Sequence, residues 1–313
     1  MDLDTYRALG LDRSLVDDGL TSSFNGRSFF DDVTRSTSDP GDAPYAPCPE
    51  AFPAAGTPRG RVEHVPGWQS SACYPGTTRD IWVYASAGLD AATDAPALMV
   101  FNDGGTYVAD DGAMRVPAVL DSLVHAGELP PTMAVFVQAG RPEGADGGMG
   151  DLATFRQRSV EYDTCDDRYV TFLATEVLPL AEERAGRPAT TDPARRLICG
   201  ISSGGICSFN AAWHAPDRFG LVLSHCGSFT AIRGGHHLPY LVRTTERKPI
   251  RVVLQTGAHD LDTVFGNWEL ANRELAAALS YAGYEHRLEV GSGGHTLAHG
   301  GAILADSLRW LFR

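Results

Sequence analysis

Arg196-Leu197-Ile198-Cys199-Gly200-Ile201-Ser202-Ser203-Gly204-Gly205 decides how this chain is read. Residues 196–199 are apolar enough to form a buried strand, and residues 204–215 read as a helix stopped by Pro216. Between them lies G-x-S-x-G. A strand that turns at once into a helix leaves no room for side chains beside the turn, so glycine is required at both flanks. The turn lifts the Ser202 hydroxyl to the carboxyl edge of a sheet and sets it at a helix N-terminus, where developing negative charge is favoured. In a chain with 34 glycines the string alone is weak, and an ordinary strand-to-helix turn would also produce it. Its place between strand and helix makes Ser202 a candidate nucleophile.

Working outward, apolar or alternating runs at 79–84, 96–101, 132–137, 221–224, 250–255 and 285–290 read as further strands, and 166–185, 266–283 and 299–312 as helices. Strands alternating with helices give an α/β class, a mostly parallel central sheet with helices on both faces. Together with the serine turn this is the α/β-hydrolase fold. Residues 71–313 are assigned to that catalytic domain. Residues 1–70, rich in Asp, Ser, Pro and Gly, are assigned to an extension packed on the core, as a lid or as an arm that would make the chain a homodimer.

The bulk numbers bound the partners. The 313 residues carry a formal charge of −13, which disfavours nucleic acid and anionic lipid. No apolar run is long enough to span a bilayer and the start lacks a signal-peptide pattern, so the expectation is a cytoplasmic protein. None of the six cysteines forms C-x-x-C, so free thiols are expected and a Cys48–Cys73 disulfide is the minor alternative.

A serine hydroxyl needs a base. In this fold the acid and then the histidine follow the nucleophile along the chain. His295 ends Gly291-Ser292-Gly293-Gly294, a flexible loop after a predicted strand and before the last helix, and is the candidate base. His299 is its rival. H-x-x-x-H could suit a metal, but Thr296 stands where H-E-x-x-H needs glutamate, so no metal is expected. Asp260, in the loop after strand 250–255, is the candidate acid, with Asp262 second. Backbone N–H donors for an oxyanion are assigned to Ser203 and, from the loop after strand 96–101, to Gly104 or Gly105. Tyr107, Arg158 and His236 are the candidate substrate contacts.

Taken as a set, Phe101-Asn102-Asp103-Gly104-Gly105, Arg158-Ser159-Val160-Glu161-Tyr162-Asp163, Cys199 to Gly205, Pro216-Asp217-Arg218-Phe219 and Gly293-Gly294-His295 resemble the esterase family that contains the enterochelin (enterobactin) esterases, with S-formylglutathione hydrolases and mycolyltransferases as more distant members. The similarity runs from about residue 79 to the end. It implies an α/β-hydrolase fold, ester hydrolysis through Ser202 and His295, an acid at Asp260, no cofactor, a small-molecule ester as substrate, and an Arg158–Glu161 pair bracing loops beneath the site. An acyltransferase, a lactonase or thioesterase on the same triad, and a non-catalytic binding protein are the rival readings.

Overall fold

The computed structural model describes residues 25–69, 72–145 and 151–313. Eight strands form the central sheet: β1 Arg61–Gln69, β2 Thr77–Ala85, β3 Ala97–Asn102, β4 Thr132–Val137, β5 Arg196–Ile201, β6 Leu221–His225, β7 Arg251–Gly257 and β8 His286–Gly291. Their order across the sheet is β1-β2-β4-β3-β5-β6-β7-β8, with the two-residue strand Arg141–Pro142 set beside β2. All pairings from β4 to β8 are parallel, while β1–β2, β2–β4 and the pairing of β2 with Arg141–Pro142 are antiparallel. The helices are α1 Phe29–Thr37, α2 Gly104–Val108, α3 Val116–His125, α4 Leu152–Tyr162, α5 Arg168–Phe172, α6 Leu178–Ala185, α7 Ser203–His214, α8 Leu238–Thr244, α9 Trp268–Tyr281, α10 Ala298–Ala302 and α11 Leu304–Leu311; a π turn, Leu173–Val177, joins α5 to α6. The fold is the α/β-hydrolase fold.

The central strands read as unbroken apolar runs because both of their faces are covered. Along β3, Leu98 and Val100 point into one core and Met99 and Phe101 into the other; Ile198 against Leu197 and Cys199 repeats the pattern on β5. The first core is closed by α4 to α9, the second by α3 and α11. Helix α7 stands directly behind β5 and is buried from Ser203 to Trp213. It is tied to β3 by Asn102, whose Nδ2 donates to Ser208 Oγ at 3.1 Å while its Oδ1 accepts from Tyr169 at 2.6 Å.

The sheet starts ten residues before the assigned domain boundary, because β1 belongs to it. Pro66 and Gly67 interrupt the alternation of β1 where its register with β2 shifts, and most of the strand is exposed, so no apolar period marks it. Helix α1, also within the first 70 residues, packs Phe29 against Phe155 and Phe265 at ring-centroid distances of 5.7 and 5.6 Å. Residues 1–24 of the extension lie outside the described residues. All six cysteines are free thiols.

Arg158 and Glu161 do not pair with one another. Glu161, fully buried on α4, receives a two-pronged bond from Arg79 of β2, at 2.6 and 3.0 Å, and the Gly140 N–H at 3.2 Å. The cation comes from 82 residues away, which a reading of the local motif does not reach. A buried pair of this kind is costly to break and cheap to replace as a whole. Glu161→Ala is expected to lower unfolding free energy by about 3–5 kcal/mol in urea titrations. The joint change Arg79→Met with Glu161→Leu should be less damaging than either single substitution.

Candidate active site

Six side chains or backbone groups of interest follow the carboxyl ends of parallel strands. Asp103 follows β3, Gln138 follows β4, Ser202 follows β5, Ser228 lies after β6, Asp260 after β7 and His295 after β8. Ligand sites of open α/β sheets form at this edge.

Ser202 has φ +60° and ψ −121°, a strained conformation for a non-glycine residue. Its surroundings hold it there. A Cβ on Gly200 would lie 2.5 Å from the Gly204 backbone, and one on Gly205 would lie 2.6 Å from Ser224 Oγ. The Ser202 N–H donates to the His225 carbonyl at 2.9 Å, and its carbonyl accepts from Gly205 and Ser228 N–H groups at 2.9 and 3.1 Å. Its hydroxyl lies 3.3 Å from Ser228 Oγ, which in turn accepts the Trp268 indole N–H at 3.0 Å. Ser203 opens α7, so its N–H has no partner within the helix.

His295 Nδ1 sits 2.5 Å from Asp260 Oδ1. The carboxylate also accepts from Thr256 Oγ1 at 2.6 Å and from the Leu261 N–H at 2.7 Å. Burial alone pushes the Asp260 carboxyl up; the charge and hydrogen bond of His295, with those two donors, outweigh it and hold the group below the usual carboxylate range. The Trp268 ring meets the imidazole edge to face at 6.2 Å. Asp262 is turned away, exposed and paired with Arg27. His299 is also elsewhere: its ring lies against Tyr45 and its Nδ1 lies 3.4 Å from Gln255 Nε2.

Ser202, Ser203 and His295 open onto one cavity of about 370 Å³. Its walls are mainly apolar, from Phe29, Phe30, Phe155, Ile232, Phe265 and Trp268. Tyr107 is not among them; it is fully buried, with its hydroxyl 2.9 Å from His225 Nδ1. His236 is exposed outside the cavity, because the loop carrying it turns through left-handed residues at Arg233 and Gly234. Arg158 does reach the wall, but Asp103 takes its guanidinium with two bonds, at 2.9 and 2.6 Å. Gly104 is pressed against β4, where a Cβ would come within 2.4 Å of the Phe136 backbone. The Gly105 N–H donates to Gln138 Oε1 at 3.2 Å, so a side-chain carbonyl sits on this candidate oxyanion donor.

Sequence reasoning missed Asp163, which lines the cavity and accepts from Ser203 Oγ at 3.0 Å. It closes the Arg158 motif, so proximity to that segment was its only signal. Burial raises its carboxyl to about 6 against the lowering effects of the Arg158 charge and of hydrogen bonds from Ser159 and Ser203. Among the described residues, Cys226, Asp260 and His295 bring metal-capable atoms within 4.8 Å. They do not suit an ion: the carboxylate and imidazole are engaged with each other, and burial lifts the Cys226 thiol well above its ordinary value, keeping it neutral.

A mostly parallel sheet in this strand order, carrying a strained serine between β5 and α7 and an aspartate–histidine pair after β7 and β8, defines the α/β-hydrolase class. The chain belongs to the family described as "Putative esterase", which it matches over residues 79–311. It is 29% identical over 249 residues to the iron(III) enterobactin esterase of Dickeya dadantii, covering 74% of this chain and 51% of that protein. It resembles the enterobactin esterase of Shigella flexneri, crystallised in the presence of enterobactin, with a TM-score of 0.65 and 25% identity, covering 83% of this chain and 61% of that one. A ferulic acid esterase of Anaeromyces mucronatus shares the fold, with a TM-score of 0.62 and 17% identity, covering 85% and 96% of the two chains. The chain thus spans about half the length of the curated enterobactin esterase it matches. Among the described residues, no helix is long and apolar enough to cross a membrane.

Asp163 generates a pH dependence with a defined sign. The folded chain keeps this proton up to about pH 6, whereas an unfolded aspartate releases it near pH 4. Between those values the folded state binds more protons, so stability falls as pH rises and levels off above the window. The unfolding free energy of wild type minus that of Asp163→Asn, measured from pH 3.5 to 7, should fall through this window by on the order of 3 kcal/mol.

Proposed function

We propose that the chain is a serine ester hydrolase working through an acyl-enzyme, with Ser202 as nucleophile, His295 as base and Asp260 as its orienting acid. The observation that carries this reading is the 2.5 Å contact between buried Asp260 Oδ1 and Nδ1 of His295, which lines the cavity onto which strained Ser202 opens. Asp260, kept ionised, fixes the tautomer that leaves Nε2 free to accept the Ser202 proton. Ser202 Oγ bonds to the carbonyl carbon and the carbonyl oxygen becomes the oxyanion. The Ser203 N–H is one donor to it. The Gly105 N–H is the second, once Gln138 Oε1 has been displaced. The imidazolium then gives its proton to the departing alcohol, and water repeats the sequence to free the acid.

The curated relative is named for iron(III) enterobactin. The cavity here favours an uncharged ester with an apolar or aromatic acyl group. Its walls are rings and aliphatic side chains, and the arginine among them is neutralised by Asp103. Stacking on Phe155, Phe265 and Trp268 would hold such a group without a counter-charge.

Ser202→Ala should abolish fluorophosphonate labelling and lower kcat on p-nitrophenyl esters by on the order of 10⁴-fold or more, as should His295→Ala, with Asp260→Asn close behind. Undiminished hydrolysis by the Ser202→Ala protein would end this assignment. On a panel of esters, kcat/KM should rise from acetyl to aryl-acyl groups and collapse for acyl groups bearing two or more negative charges. The opposite order would leave the mechanism intact and overturn the substrate class.

A further inference from the structure

The loop that presents His295 is gripped by a segment with no strand or sheet role, residues 36–45. Ser36, buried at the end of α1, takes the His295 N–H on its Oγ at 2.9 Å and on its carbonyl at 3.2 Å. The same hydroxyl donates to the His259 carbonyl at 2.9 Å, one residue before Asp260. Asp42 Oδ2 accepts the Gly294 N–H at 3.0 Å. Ser292 donates its N–H to Tyr45 Oη and its hydroxyl to the Gly41 carbonyl, both at 2.8 Å. His259 Nδ1 lies 3.3 Å from Asp39.

The glycines of the loop match this grip. A Cβ on Gly293 would lie 2.0 Å from Asp42 Oδ1, one on Gly294 would lie 1.9 Å from the Ser36 carbonyl, and one on Gly41 would lie 2.0 Å from the Ser292 carbonyl. Two backbones therefore lie against each other with no side chain between them. A Ser-Gly-Gly run has many conformations of its own. The acceptors that select one of them come from outside the catalytic core.

We infer that Ser36 and Asp42 are positioning residues of the reaction: through the N–H groups of His295 and Gly294 they hold the imidazole in register with Asp260. This rests on His295 being the base. The two side chains touch neither substrate nor reacting atoms. Their effect falls on how often the imidazole is aligned, and a misplacement of about 1 Å is worth up to about a hundredfold in rate.

The test is steady-state kinetics of the full chain on p-nitrophenyl butyrate, below the melting midpoint of every variant. Ser36→Ala and Asp42→Ala should each lower kcat ten- to a hundredfold with KM within about twofold of wild type. Asp42→Asn keeps an oxygen acceptor for the Gly294 N–H and should recover most of the loss. Adding Ser36→Ala to His295→Ala should lower the residual rate no further, since there is no imidazole left to align. If Ser36→Ala and Asp42→Ala keep kcat within threefold of wild type while His295→Ala is inactive, the positioning role is overturned and the base assignment stands. Equal losses in Asp42→Asn and Asp42→Ala, or an added loss on the His295→Ala background, also overturn it. If His295→Ala keeps wild-type activity, the base assignment itself has failed.

Discussion

The backbone of Ser202 has to stay at φ +60° in a close-packed turn, and much of the site is built to keep it there. Three positions around it, Gly200, Gly204 and Gly205, sit so close to neighbouring atoms that side chains would not fit without movement. The strain is of order 1–3 kcal/mol and is offset by the hydrogen bonds that tie residue 202 to His225 and Ser228. A serine set this way points its hydroxyl away from both strand and helix. The same tightness puts the Ser203 N–H at the head of a helix buried from Ser203 to Trp213, one residue from Ser202. The proposed nucleophile and the proposed oxyanion donor are thus consequences of one turn.

Charge is handled beside this turn by burial and pairing. Arg158 is spent on Asp103, the residue just after β3, and also reaches the Ile201 carbonyl, just before Ser202, at 3.3 Å. Arg79 is spent on Glu161. Asp163 sits between these pairs, hydrogen-bonded to Ser203. A chain with a formal charge of −13 therefore brings little free positive charge to its cavity, and the apolar walls dominate what it can hold. In a low-dielectric pocket, paired charges orient loops, while an unpaired one would have to be matched by the ligand.

The parts legible in the sequence were those with short-range patterns. The runs at 96–101, 132–137 and 250–255 are covered on both faces, so their interiors are apolar and polar residues fall only at or near their ends, as Thr132, Arg251 and Gln255 do. Gly200-Ile201-Ser202-Ser203-Gly204 was legible because the turn dictates its glycines locally. Strand β1 was not, because it is exposed and bulged at Pro66-Gly67. The partner of Glu161 was not, because Arg79 lies on another element and no spacing rule links the two. Tyr107 and His236 read as substrate contacts because one ends the segment after strand 96–101 and the other lies in a Gly-rich loop. Side-chain direction decided otherwise, sending one into the core onto His225 and leaving the other exposed. Asp260 and Asp262 differ by two residues and have the same chemistry, so only the fold of their loop could part them.

The loop before His295 shows how the same glycines can be read in two ways. Read from the sequence, Gly-Ser-Gly-Gly is a flexible loop between a strand and the last helix. In three dimensions the glycines are points of close approach to Ser36, Gly41 and Asp42, and the loop is held on several sides. Glycine is the residue for both purposes, since the lack of a Cβ widens the conformational choice and also removes the atom that would keep a second backbone away. Which purpose applies depends on whether a partner is present. Here it comes from about 250 residues earlier, and the same stretch contributes Phe29, Phe30 and Val33 to the cavity wall. One short segment thereby lines the cavity through its apolar side chains and holds the His295 loop through its polar ones.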